Sequence, residues 1–204
     1  MTNLDKLITY FEGFPGIGAR QARRFAFHIL TLQEADTKAL GELITNLQGT
    51  VTECARCHRF FAQNNSTSVM CAICLDHNRD RTKLMVVERD TDVQSIERSG
   101  VYDGLYFVLG GTLPLLSEAN NKLRAAALKA TVDTQLTEEL KEIILAFSVN
   151  PDGENTARYT HSLLKEKIEA HSLKVTQLGR GLSTGSELEY ADPETIKNAL
   201  HNRI

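Results

Sequence analysis

The sequence predicts an α/β protein, a mostly parallel sheet with helices on both faces, preceded by a small α-helical N-terminal module and a cysteine-rich segment. Three observations carry that prediction. After residue 84, short apolar β-rich runs alternate with helical stretches, the pattern of a sheet buried on both faces. Before residue 50 the apolar positions recur at helical spacing and are broken by a Gly-rich turn. Between the two, all four cysteines fall at C-x2-C-x13-C-x2-C.

Taken in order, residues 3–12 place Leu4, Leu7, Ile8 and Phe11 on one helical face, ending at Gly13. FPGIGAR at 14–20 puts Pro15, Gly16 and Gly18 into one turn, and QARRFAFHIL continues as a second helix. This helix is expected to bury Ala22, Phe25, Ala26 and Ile29 and to present Arg20, Arg23 and Arg24 elsewhere. A third helix at 35–47 carries Leu40, Leu43, Ile44 and Leu47, and the middle of the cysteine segment, AQNNSTSV, reads as a loop. The strands are LMVVE at 84–88, LYFVLG at 105–110, EIILAF at 142–147 and the KVTQL run within 173–178. Helices are expected near 92–98, 120–130, 155–170 and 193–202.

At 204 residues, 42% hydrophobic and 24% charged, the chain has globular composition, which argues against disorder and low-complexity classes. No apolar run reaches the ~18 residues of a membrane span. The N-terminus does not read as a signal or transit peptide, so a cytoplasmic location is expected. The net charge of −3 is uneven: residues 1–84 carry ten Lys/Arg against eight Asp/Glu, and residues 85–204 carry thirteen against eighteen. The halves are expected to do different work.

Two C-x2-C knuckles supply two thiolates each from tight turns, the donor set that tetrahedral Zn²⁺ prefers. Cys54, Cys57, Cys71 and Cys74 are therefore the predicted ligands of a structural zinc, because four thiolates leave no position for a reacting water. His58 and His77 flank the knuckles and could replace a ligand, but the plainer reading of each is a surface residue. At 14–18, a Gly-x-Gly turn opening a helix presents unpaired backbone N–H groups that favour an anion. Gly16 and Gly18 allow close approach, and Arg20 and Arg24 share a helical face beside the turn. The same pattern equally describes an ordinary helix–helix connection with a solvated arginine face.

FPGIGARQARRFAFHIL, the four-cysteine segment, VVERDTDVQSIERSG, YDGLYFVLGG, DGENTARY and RGLSTGSELEYAD, in that order, resemble the bacterial RecR recombination mediator family nearly end to end. The resemblance implies a helix-hairpin-helix DNA-binding module over 1–52, a zinc finger over 53–79, a Toprim domain over 80–178 and a C-terminal oligomerisation segment over 179–204. It implies a clamp without catalytic turnover, a dimer or tetramer ring on single-stranded, gapped or duplex DNA. It further implies RecO and RecF as partners in loading RecA, association with the nucleoid during repair, and no membrane.

Catalytic Toprim domains hold Mg²⁺ on a Glu after the first strand and on acids after a later one. Here Glu88 resembles the first acid, and Asp152 and Glu154 resemble the trailing ones, but Ser148 and Asn150 stand where two aspartates are expected. Mg²⁺ depends on anionic oxygen, so binding at these acids is expected to be weak at most. By the same analogy Glu88 and Asp92 would contact RecO, with a solvated acidic loop as the plain alternative. Arg180, Glu189 and Asp192 of the Gly-rich C-terminal stretch, which contains Gly179, Gly181 and Gly185, are read as interface or structural residues. No P-loop sequence is present. The alternative reading is a Mg²⁺-dependent phosphoryl-transfer enzyme of the Toprim class using Glu88, Asp152 and Glu154. Residues 111–141 depart from the family pattern.

Overall fold

A computed structural model describes the chain except residues 64–67, 116–122, 183, 184, 186 and 202–204. The expected starts and ends that fall there, including the centre of AQNNSTSV, the first turn of the 120–130 helix and the last residue of the 193–202 helix, lie outside the described residues. The chain divides into two compact units, Met1–Thr52 and Glu53–Ile204.

The first unit contains α1 (Asn3–Glu12), α2 (Ala19–Thr31) and α3 (Glu34–Thr50). Thr2 and Asp5 form a capping box that starts α1. The α1–α2 hairpin is pinned by Phe11, which meets Phe14 and Phe25 edge-on at 5.7 and 5.9 Å. Of the α2 face expected to be buried, Ala22 and Ala26 are buried and Ile29 is half-buried, whereas Phe25 is 43% exposed. A single facing helix covers the small residues at the crossing, and the larger ring spreads beyond it. On α3, Leu40, Leu43, Ile44 and Leu47 are exposed.

The second unit contains β1 (Val51–Glu53, which enters it from the first), β2 (Phe60–Ala62), α4 (Ala72–Leu75), β3 (Asp80–Val87), α5 (Asp90–Ser99), β4 (Gly104–Val108), α6 (Ala125–Leu136), β5 (Glu142–Ala146), α7 (Pro151–His171), β6 (Lys174–Gln177) and α8 (Pro193–His201), with a 3-10 turn at Leu188–Tyr190. The short β1–β2 ribbon and α4 lack any long apolar period and were not legible in the sequence. β3 to β6 form one parallel sheet in the order β4-β3-β5-β6. β3 begins earlier than its apolar run, because polar Asp80 already pairs with Gly104.

Alternation along the strands gives two separate apolar layers. Leu84, Val86, Leu105, Phe107, Ile143 and Leu145 face α6 and α7 through Leu128, Val132, Ala157 and Leu164. Met85, Val87, Tyr106 and Val108 face α5 and the four cysteines. The sheet therefore has helices on both faces, and on the second face the cysteine segment completes the layer. The expected 120–130 helix is shifted to Ala125–Leu136. Arg124 is not helical: its N–H donates to the Leu109 carbonyl at 2.9 Å, tying it to the end of β4, and the buried Val132 and Gln135 extend the helix beyond 130.

The start of α7 is pressed against the end of β5. Asn150 caps it by accepting from the Gly153 N–H at 2.8 Å, and Pro151 occupies the first turn. A Cβ on Gly153 would lie 2.0 Å from the Ser148 carbonyl oxygen. Gly153→Ala is expected to destabilise the second unit by about 1–3 kcal/mol or more. An unchanged urea midpoint would show that the turn yields freely.

Under α5, Arg79 holds Glu97 and the Tyr106 hydroxyl donates to the same carboxylate at 2.7 Å. Burial works against the Glu97 charge, but these bonds outweigh it and keep its pKa below the usual range. At the start of β3 Lys83, with Thr82, lowers Asp80 to about 2. Carboxyls depressed on folding stabilise the fold above their unfolded pKa, and that stabilisation is lost as pH falls through the folded value. The thermal midpoint is therefore expected to fall as pH drops from about 4.5 towards 2. A midpoint constant over that interval would contradict these pairings.

Candidate metal centre and anion-binding hairpin

Cys54, Cys57, Cys71 and Cys74 are all buried, and their sulfurs lie within 4.8 Å of one another. The first knuckle closes through the His58 N–H donating to the Cys54 carbonyl at 2.9 Å, and the second through the Leu75 N–H to the Cys71 carbonyl at 3.1 Å. The Cys57 and Cys71 sulfurs are 3.6 Å apart. That approaches the ~3.8 Å edge of a tetrahedron with about 2.3 Å metal–sulfur bonds. The Cys71 N–H donates to the Cys54 sulfur at 3.3 Å, a contact suited to a thiolate. Cys54 is driven well below the usual thiol range because its three neighbours donate to it, and Cys57 and Cys74 are pushed above it as donors to Cys54. The donor set, spacing and burial fit a four-coordinate ion closed to solvent, and the ion's chemistry there is structural. Among the described residues this is the one group of three or more His, Cys, Asp or Glu side chains brought to ligating range.

His58 stands outside that group. It takes a positive φ of 60°, the conformation needed to leave the knuckle, and its Nδ1 bonds Glu53 Oε1 at 2.6 Å. Its ring meets Phe107 edge-on at 5.2 Å. Arg124 completes this set, pairing with Glu53 at 3.2 Å and donating to the Val108 carbonyl. The Val108 N–H in turn donates to the Cys57 carbonyl at 2.8 Å, so the knuckle caps the outer edge of β4. His77 is exposed. Sequence reasoning missed Glu53, Arg124 and Glu138, which binds both Arg56 and Arg81. No local spacing marks partners so far apart in the chain.

In the first unit Gly16 has φ +76°, and a Cβ at Gly16 or Gly18 would meet no atom within 4 Å. The glycines are thus required by conformation at Gly16 and leave open space before α2. Gly18 caps α2 with no side-chain hydrogen bond, so the helix starts with donors uncovered by a side chain. Arg20 and Arg24 are exposed. Arg24 bonds only Gln21 at 3.4 Å, and Arg20 and Arg23 have no side-chain partner among the described residues.

The acids at the carboxyl ends of the strands are engaged separately. Glu88 is 6% exposed and accepts from the Ser148 N–H at 2.5 Å, joining the ends of β3 and β5. Asp92 accepts from the Arg89 N–H at 2.8 Å as part of the α5 cap. Asp152 accepts from the Leu115 N–H at 3.0 Å, while Thr156 Oγ1 accepts from the Leu113 N–H and Asn155 Nδ2 donates to the Leu113 carbonyl. Glu154 pairs with Arg180 at 3.1 Å, and Arg180 also reaches Glu194 of α8. Asp192 caps α8 through the Glu194 and Thr195 N–H groups, and Glu189 is exposed.

With this arrangement in view, the sequence matches the RecR helix-hairpin-helix family model over residues 4–47, the Toprim domain model over 82–179 and the RecR C-terminal model over 181–204. It is 40% identical over 199 residues to Recombination protein RecR of Chloroflexus aurantiacus, covering 97% of this chain and 92% of that protein. The chain belongs to the RecR family. Recombination protein RecR of Ligilactobacillus salivarius is 36% identical over 201 residues, covering 98% of this chain and 96% of the relative. The RecR protein of Lactococcus lactis subsp. lactis is 36% identical over 202 residues with the same coverage. Within the RecR framework the hairpin lies inside the first matched segment and the strand-end acids lie inside the Toprim segment. Among the described residues, no helix is long and apolar enough to cross a membrane.

Metal analysis is expected to find one equivalent of thiolate-bound ion per chain. A strong chelator, or Cys74→Ser, should raise hydrophobic-dye binding and lower the thermal midpoint, because the Met85–Val87–Tyr106–Val108 layer loses its cover. A midpoint unmoved by complete metal removal would mean that packing alone holds the knuckles.

Proposed function

We propose that this chain acts in recombinational DNA repair as a DNA-binding mediator without catalytic turnover. The observation that carries the reading is the open hairpin: glycines with empty space beside them, uncapped helix donors, and Arg20 and Arg24 on the following turn. Gly16 and Gly18 admit a phosphate to the backbone N–H groups, and the arginines neutralise it and its neighbour. Such contacts grip the backbone without reading bases, which suits a protein that follows DNA gaps of any sequence.

Zinc is the ion proposed for Cys54, Cys57, Cys71 and Cys74, since four thiolates in a closed tetrahedron favour it over hard cations. Its binding, about 10–16 kcal/mol in comparable small sites, would hold the 53–79 finger onto the sheet. The Toprim portion over 80–178 serves as a binding scaffold. Asn150, at a position where a metal aspartate would stand, is an excellent helix cap, and Glu88, Asp152 and Glu154 each hold a different element. The RecO contact expected at Glu88 and Asp92 is proposed for Asp92 and the surface beside it, since Glu88 is 6% exposed and already bonded, with RecF as a further partner in RecA loading. The 1–52 module and the 179–204 segment are assigned to DNA binding and oligomerisation, in the cytoplasm and at the nucleoid during repair.

Oligomerisation reconciles DNA binding with a net charge of −3. Two to four copies facing one channel would offer roughly 4–8 phosphate contacts, and the salt slope for duplex should then be about −4 to −7. The Arg20→Ala, Arg24→Ala double variant should lose affinity and flatten that slope. Unchanged affinity and slope would falsify the hairpin assignment.

A further inference from the structure

A groove of about 540 Å³ runs between the cysteine knuckles and α6, and neither the hairpin residues nor the strand-end acids line it. Its walls are apolar and small: Ala55, Val69 and Met70 on one side, Ala127 and Ala130 on the other. Val69 is 63% exposed. The volume is that of a site for a small ligand or a few side chains. Small residues at 127, 130, 131 and 134 recur along one face of α6, which lets another backbone approach it closely.

The polar group in the groove is Arg56, whose side chain is only 13% exposed. Its Nη2 binds Glu138, but the same carboxylate also serves Arg81 at 3.0 Å. One negative charge is thus shared by two guanidiniums, and this end of the groove retains a positive charge. Arg56 Nε is buried with no acceptor, and Nη1 makes no hydrogen bond among the described residues. Nε is out of reach of an incoming group, so Nη1 is the guanidinium nitrogen left to take an anionic acceptor. Lysine or a second arginine entering here would meet like charge.

We propose that this groove receives a short acidic–apolar segment of a protein partner, its carboxylate on Arg56 and its apolar side chains between Val69, Met70, Ala127 and Ala130. A carboxylate flanked by leucine-sized side chains satisfies both features at once, and the charge imbalance selects it over a basic segment. Phosphate alone would leave the apolar walls uncovered.

The test uses the full-length metal-bound protein and fluorescent nonapeptides in which leucine alternates with aspartate or glutamate. The acidic peptide should bind at least about tenfold more tightly than its lysine counterpart, a difference of ~1.4 kcal/mol. Ala130→Glu and Val69→Asp, both at exposed positions where folding is retained, should each weaken it tenfold or more and leave duplex DNA binding unchanged. Equal binding of the lysine peptide, indifference to both substitutions, or displacement of the peptide by oligo(dT) would overturn the proposal. The last result would mark the groove as a phosphate site.

Discussion

One face of the four-stranded sheet depends on the cysteine segment. α6 and α7 cover the Leu84–Val86–Phe107 side, but on the other side α5 offers ten residues against Met85, Val87, Tyr106 and Val108. The knuckles complete that layer, and the Cys57 carbonyl takes the Val108 N–H that an edge strand would otherwise expose. A segment with few apolar side chains can do this only if something other than packing holds its shape, and four convergent thiolates meet that need. The four-cysteine cluster is therefore part of the sheet's own core, packed in one layer with Met85, Val87, Tyr106 and Val108.

Other devices reinforce the same junction. Glu53, His58 and Arg124 tie the first knuckle to the end of β4, and Arg56, Glu138 and Arg81 tie it to the end of α6. Half-buried pairs of this kind contribute modestly to stability, but they specify which surfaces meet. Between the two sets lies the groove with the under-satisfied Arg56, so the junction that supports the fold also shapes a surface.

At the carboxyl ends of the strands, a position used for metal chemistry in related folds has been given to holding loops. Glu88 bridges β3 to β5, Asp152 with Asn155 and Thr156 secures residues 113–115, and Glu154 meets Arg180. Each carboxylate accepts from a separate donor, and the three are not gathered into one ligating group among the described residues. The crevice at the reversal of strand order, between β3 and β5, is closed by the Glu88 carboxylate on the Ser148 N–H.

Strong local patterns were legible from the sequence alone. The four-cysteine spacing, the Gly-x-Gly turn before an arginine-bearing helix, and the apolar runs of β3 to β6 each depend on neighbours in the chain, and each was read correctly in kind. Only the tertiary structure decided that the cysteines form one layer of the sheet, that Phe25 stays exposed, that α6 begins at Ala125, and that Glu53, Arg124 and Glu138 join the knuckles to the sheet. These depend on groups tens of residues apart, whose meeting is set by strand order and by which buried donors remain to be satisfied, and no periodicity records that.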